Sequence, residues 1–271
     1  MADSWTVLGS GTLEFLAGRN PSSHLLRVGG SSILVDSGPG ALSALAQRGL
    51  DSRALAAVVH SHLHLDHLGD LFPLWFHFRL TARPDDRLLL VGAPGHEVTL
   101  AAAAAALDPK LLLAPVEFVE HAPDGTPRPV PGTCVTVAAF PANHSRSPRV
   151  LRFEGPGWSL AYSGDTGPCQ GLVDAARGVD WLVVECSTPD EAPRSRHLTP
   201  SQIAPVLLDA RPKAVALVHL SPLWETPEDA AAAVRRAAQG YGGEVVGARD
   251  GLELPLPYSH SMVPGGLLEM S

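Results

Sequence analysis

The stretch "HSHLHLDH", residues 60–67, places four histidines and an aspartate in eight positions. Imidazole nitrogens and carboxylate oxygens are donors that divalent cations such as zinc take from proteins. The pattern His-x-His-x-Asp-His fits in one register: His62, His64, Asp66 and His67. Starting at His60 would put His64 where the aspartate belongs. On an extended strand end, residues two apart point the same way, so His62 and His64 face one position. The chain must then turn before a helix near residue 68, bringing Asp66 and His67 round to a second, adjacent position. The competing reading is a polar loop whose histidines bond to backbone.

Two cations need further ligands, also at strand ends. His144 follows the apolar strand "CVTVAAF", Asp165 ends "SLAYSGD", and His219 ends "AVALVH". Each is a metal-competent residue where a buried strand breaks into loop. Taken singly, each reads equally well as a core histidine or an aspartate turn. Taken with the first motif, they supply three plus three ligands and a bridge.

The elements that must position these residues alternate along the chain. Strands are expected at 6–12, 22–29 and 31–38, with a short helix at 41–49 closed by Gly49. A buried strand over 54–62 runs into the histidine motif. A helix over 68–83 holds Pro73 in its first turns, where proline is tolerated best. A strand at 86–94 precedes a helix at 95–107, whose alanine run is helix propensity. Strands at 116–122, 133–140, 149–155 and 159–166 follow. Then come a helix at 171–178, a strand at 179–187, a helix at 199–211, a strand at 214–222, a helix at 228–241 and a strand at 243–254. Consecutive strands in the centre favour an α/β (α+β) architecture of two mixed sheets with helices outside, over a purely parallel sheet. We expect a single domain over 1–258 and a flexible C-terminal tail over 259–271.

Composition narrows the function. The chain has 271 residues, 45% of them hydrophobic and 18% charged, which is globular rather than disordered. No apolar run is long enough to span a bilayer, and the start "MADSWTVLGSGT" lacks a secretory pattern. Three scattered cysteines do not form a disulfide framework, so a reducing cytoplasm is the expected location. The formal charge of −8 argues against broad nucleic-acid binding. A local patch of Arg146, Arg149 and Arg152 is one reading of that segment, and a solvated strand edge is the other. Cys186 follows Glu185 near the expected site. Nothing in the sequence would lower its pKa, so it reads as an inert buried thiol.

With these residues in place, the sequence resembles the metallo-β-lactamase-fold metal-dependent hydrolases, over nearly the whole chain. "SSILVDSGPG", "SHLHLDH", "SGDTGP" and "LVHLSP" match the superfamily's signature segments. The resemblance implies a four-layer αββα sandwich with the site at the edge of two mixed β-sheets. It implies that His62, His64 and His144 hold one metal, that Asp66, His67 and His219 hold the other, and that Asp165 bridges. Two divalent metal ions are expected, zinc first, with manganese or iron as alternatives.

Three segments are similar to the ribonuclease Z-like, phosphodiesterase branch: "GRNPSSHLLRVGG", "NHSRSPRVLRFE" and "VVECSTPDEAPRSRHLTPSQIA". In that branch a histidine at the place of His197 sits beside the scissile phosphate. An alkoxide leaving group needs a proton or a nearby donor as its bond breaks, which an imidazole can supply. The bland reading is that His197 only precedes a helix capped by Thr199. Bacterial ribonuclease Z carries a tRNA-gripping arm between the ligands matched by His144 and Asp165. Here "RSPRVLRFEGPGWSLAY" fills that gap as a plain hairpin, and "DSGPGA" stands where "CGEGTQ" is expected. The resemblance therefore implies a phosphodiesterase lacking the arm. Its catalytic residues would be Asp66, orienting an activated water, and His197, assisting the leaving group. A carboxyl-type bond (lactone, lactam or thioester), true tRNA 3′ processing and a non-catalytic binding role are the alternatives. The expected partner is a small-molecule or nucleotide phosphodiester, with no membrane. "LFPLWFHFRL" offers a face for a homodimer, and burial against its own sheet accounts for the same residues.

Overall fold

The computed structural model describes residues 2–258. The expected tail, 259–271, and His260 lie outside the described residues. The first half supplies β1 (Ser4–Gly9), β2 (Ser23–Val28), β3 (Ser31–Ser37), α1 (Ala41–Gln47), β4 (Leu55–Val59), α2 (Leu65–Leu68), α3 (Leu71–Thr81), β5 (Leu88–Gly92), α4 (His96–Leu107) and β6 (Val116–Glu120). The second supplies β7 (Arg128–Pro129), β8 (Thr136–Pro141), β9 (Arg149–Gly155), β10 (Trp158–Tyr162), α5 (Gln170–Ala176), β11 (Trp181–Glu185), α6 (Pro200–Ala210), β12 (Ala214–Val218), α7 (Pro227–Ala237), β13 (Glu244–Gly247) and β14 (Glu253–Pro255).

These form two seven-stranded mixed sheets, ordered β14-β1-β2-β3-β4-β5-β6 and β13-β12-β11-β10-β9-β8-β7. Strand alternation assigns the layers. Val7, Leu26, Ile33 and Val35 join Leu151, Phe153, Leu160 and Trp181 in the core between the sheets. Their sequence neighbours Leu8, Leu25 and Leu34 point the other way and pack with Leu45, Leu74, Trp75 and Leu100 of α1, α3 and α4. On the second sheet, Val150, Ala161 and Leu182 pack outward against α5, α6 and α7. Strands buried on both faces need continuous apolar runs, and that is why "ILV", "LLLV" and "WLVV" show no polar alternation. The result is the αββα sandwich.

Several boundaries differ from expectation. The helix expected over 68–83 is two, α2 and α3, with Pro73 in the first turn of α3. That helix buries Leu71, Leu74, Trp75 and Phe78 against its own sheet and leaves Phe76 and Leu80 exposed. The strand expected over 243–254 is also two. β13 lies beside β12 in one sheet and β14 beside β1 in the other, so the chain crosses the sandwich between them. The arginine patch does not form. Arg149 is buried, donating to the carbonyls of His60 and His121, and Arg152 is tied to Glu154 at 2.9 Å and to the carbonyls of Ala175 and Arg177. Between Arg149 and Asp165 the chain is a tight hairpin, with Gly155 paired to Trp158.

Candidate metal centre

Strands β3, β4 and β5 run parallel, as do β10, β11 and β12, and their carboxyl ends meet at one edge of the sandwich. Loops beyond those ends carry the polar residues, the usual place for a site in such sheets. His60–His64 leave β4, Asp165 leaves β10, Glu185 closes β11 and His219 follows β12. β8, antiparallel to β9 and so running with β10, delivers His144 to the same edge. The turn expected after His64 is helical. His64 has extended backbone and precedes α2, which places Asp66 and His67 in its single turn.

Asp165 sits at the centre, buried. Its carboxylate oxygens lie 3.0 Å from His219 Nδ1, 3.1 Å from His67 Nε2, 3.6 Å from His144 Nε2 and 3.8 Å from His62 Nε2. Burial alone would raise the Asp165 pKa, but His219 and His67 beside it hold the carboxyl well below its ordinary value. His64 Nδ1 lies 3.0 Å from His144 Nε2, and Asp66 lies 3.9 Å from His67 Nε2. Three sets of donors result, each within 4.8 Å: His62, His64, His144 and Asp165; Asp66, His67, Asp165 and His219; and Asp165, Glu185 and His197. The structure thus brings together all seven residues that the sequence singled out as ligands.

Neighbouring groups fix the outward nitrogens. The His67 Nδ1–H donates to Asp36 Oδ2 at 2.7 Å, leaving Nε2 toward Asp165. Ser61 Oγ donates to Asp36 at 2.7 Å and so accepts from His62 Nδ1–H at 3.1 Å, again leaving Nε2 inward. His144 Nδ1–H donates to the Arg196 carbonyl at 3.0 Å. Such partners set the tautomer and orientation of metal-binding histidines. His62 Nε2, His67 Nε2 and Asp165 Oδ1 are buried with no hydrogen-bond partner among the described residues. Buried polar atoms left unpaired are costly. These converge on the positions where cations would satisfy them, so the residues fit a pair of divalent ions. The surrounding charge agrees. Burial disfavours a charged His67, yet Asp165 and Asp36 on either side outweigh it and raise its pKa well above the ordinary histidine value.

Asp36 is the residue that sequence reasoning missed. It is the next-to-last residue of β3, in a left-handed conformation (φ 53°) and fully buried. Besides Ser61 Oγ and His67 it accepts from Ser61 N–H at 2.7 Å and Tyr162 Oη–H at 2.8 Å. The available signal was an aspartate inside the apolar run "ILVDSG", which a buried strand end tolerates only with donors around it. Ser22 Oγ lies 3.1 Å from His219 Nδ1, a further contact the sequence did not indicate. Arg19 braces the loop after His219 by donating to the carbonyls of Ser221, Trp224 and Glu225. His60 lies inside, 3.0 Å from Ser37 Oγ, which agrees with a structural place.

His197 reaches the same cleft. Its ring stacks 5.4 Å from His219 and meets His144 edge-on at 4.8 Å. Nδ1 faces Glu185 Oε2 at 3.0 Å, leaving Nε2 as the atom it can offer to a substrate. Thr199 caps α6 with a reciprocal bond to Gln202, which fixes the chain just after His197. Glu185 also accepts from Thr166 N–H at 2.5 Å and Leu198 N–H at 3.2 Å, so both its oxygens are engaged by donors other than His197 as well. Burial pushes the Glu185 carboxyl up to about 7. Burial lowers the His197 pKa, but its bond to Glu185 outweighs that and raises it. Cys186 is buried and burial pushes its thiol well up, so it is inert. Among the described residues no helix is long and apolar enough to cross a membrane.

The family described as "Beta-lactamase superfamily domain" matches residues 31–220. An uncharacterized protein of Mycobacterium leprae is 33% identical over 231 residues, covering 83% of this chain and 79% of that protein. A ribonuclease Z of Mycolicibacterium paratuberculosis is 35% identical over 193 residues, covering 66% of this chain and 68% of the relative. The crystal structure of the metallo-beta-lactamase fold protein YhfI from Bacillus subtilis superposes with a TM-score of 0.78 at 22% identity, covering 93% of this chain and 98% of that one. The sandwich, the donor cluster at its edge and these likenesses agree: the chain belongs to the metallo-β-lactamase-fold hydrolases, in the ribonuclease Z-like branch.

Proposed function

We propose that this protein is a dinuclear metal-dependent phosphodiesterase acting on small-molecule or nucleotide diesters. His62, His64 and His144 would hold one ion, Asp66, His67 and His219 the other, and Asp165 both. The imidazole-rich donor set favours zinc. Two such ions supply Lewis acidity and lower the pKa of a water for attack on phosphorus. Asp66 lies at the cleft and orients the attacking water. Asp36 and Ser61 hold the histidine rings in place. His197, whose pKa its bond to Glu185 raises, donates from Nε2 to the leaving oxygen.

The observation that carries this reading is the Glu185–His197 pair beside the donor cluster. The pair supplies a proton donor apart from the metal donors, which an alkoxide leaving from phosphorus needs. The tight hairpin from Arg149 to Tyr162 supports a small substrate over tRNA, because it leaves no arm to grip one. The test is His197→Ala, assayed on an alkyl diester such as TpT and on bis-p-nitrophenyl phosphate, whose p-nitrophenolate leaves without needing a proton. We expect turnover of the alkyl diester to fall about 100-fold or more, the scale of general acid catalysis, with the p-nitrophenyl diester affected far less. Unchanged turnover of the alkyl diester would remove His197 from the mechanism. A panel containing 2′,3′-cyclic nucleotides and a pre-tRNA separates small-diester hydrolysis from tRNA processing.

A further inference from the structure

A second cavity adjoins the cleft and shares the His64 wall with it. The catalytic cleft is lined by Asp66, Asp165 and the donor histidines, with Glu14 paired to Arg194 at 2.9 Å. The second cavity has no carboxylate in its lining, and its one permanently charged side chain is Arg146. Arg146 is exposed and makes no ion pair or hydrogen bond among the described residues, unlike Arg149 and Arg152 a few positions on. Beside it, Ser145 Oγ is buried without a partner. Opposite lies the start of α4, a twelve-residue helix whose N-cap, Gly95, offers no side-chain acceptor. The first residue of that helix, His96, is 4% exposed and neither ring nitrogen has a partner. Leu63, Ala93 and Pro94 supply apolar wall between these polar groups.

We propose that this cavity binds a second anionic group of the substrate, a phosphate or carboxylate one unit removed from the scissile diester. The inference rests on the phosphodiesterase reading and narrows it to substrates bearing at least two negative groups. A free guanidinium takes phosphate oxygens through paired N–H donors. The helix start adds a favourable dipole, with its Glu97 N–H already held by Glu120 Oε1 at 3.0 Å, so the side chains of Arg146, Ser145 and His96 supply the donors. With the scissile phosphate at the metal cluster, the rest of the substrate passes His64. Its sugar or ring lies on Leu63 and Pro94, and the second anion meets Arg146.

The test compares the dinucleotide TpT with its terminally phosphorylated forms pTpT and TpTp, on the metal-loaded enzyme. The wild type should prefer at least one phosphorylated form. In Arg146→Ala the ratio of kcat/KM for that form over TpT should fall about 10–100-fold, the scale of a charged hydrogen bond, with the change in KM. Arg146→Lys should recover part of the ratio. No wild-type preference, or a preference that survives in Arg146→Ala, overturns the proposal. If no dinucleotide is hydrolysed at all, the phosphodiesterase reading fails, and the cavity is then judged by calorimetry with thymidine 3′,5′-bisphosphate. Weaker binding by Arg146→Ala than by wild type upholds the anion site, and equal or absent binding in both refutes it.

Discussion

One carboxylate organises the centre without touching the cleft. Asp36 accepts from Ser61, His67 and Tyr162, and through Ser61 it also sets the ring of His62. Burial would raise its pKa, but the adjacent His67 holds it well below the usual carboxylate range, so it stays charged. In Asp36→Asn one oxygen becomes a donor facing other donors. His67 and His62 lose their orientation, and each belongs to a different donor set. We expect metal affinity, measured by competition with a chelator, to fall about 10–100-fold, the usual cost of losing such a partner, while circular dichroism stays native. Affinity equal to wild type would mean the rings are held by packing alone. The candidate ligands were legible because their spacing is short-range and distinctive: His62, His64, Asp66 and His67 lie within six positions. His144, Asp165 and His219 were legible because each ends an apolar run. Asp36 was not, because its role comes from residues 25 and 126 positions away that meet it only in the fold.

At the scale of elements, apolar runs and turn residues gave strand and helix identity, and errors gathered where the chain changes partner. The stretch 243–254 reads as one strand because "GEVVGARDGLEL" is apolar at both ends. Folding splits it at Asp250 and Gly251, where Gly251 takes φ 93° and the chain passes to the other sheet. Asp250 pins this crossing. It accepts from Ser10 N–H, Ser10 Oγ–H and Asn20 N–H, each at 2.8 Å, tying the last strands to the loop after β1. Asp250→Ala leaves those donors short of a partner. It should cost about 1–3 kcal/mol, seen as a lower urea midpoint with an unchanged slope. A midpoint equal to wild type would show that the crossing holds without its carboxylate. The split of 68–83 has a similar cause. "LDHLGD" contains enough polar residues to start a helix early, and α2 must stop at Gly69 so that Asp66 and His67 can face inward.

For the whole molecule, the decisive feature is which half supplies each candidate ligand. His62, His64, Asp66 and His67 come from the first sheet, and His144, Asp165 and His219 from the second. Each proposed ion position draws donors from both, so bound metal would staple the two layers at their shared edge. Without it, several imidazoles and Asp165 crowd one buried place with unpaired atoms. A ligand that binds only the folded chain stabilises it by about 2.7 kcal/mol at a hundredfold excess over Kd. For a chain of this size that raises Tm by roughly 5–10 °C. Zinc added to chelator-stripped protein should give that shift, and EDTA should reverse it. Asp165→Ala removes the group common to both positions and should abolish most of the response. His197→Ala should keep it, since His197 is placed for substrate and not for metal. Stapling fails as an account if zinc leaves Tm unmoved in the wild type, or if Asp165→Ala responds as fully as the wild type does.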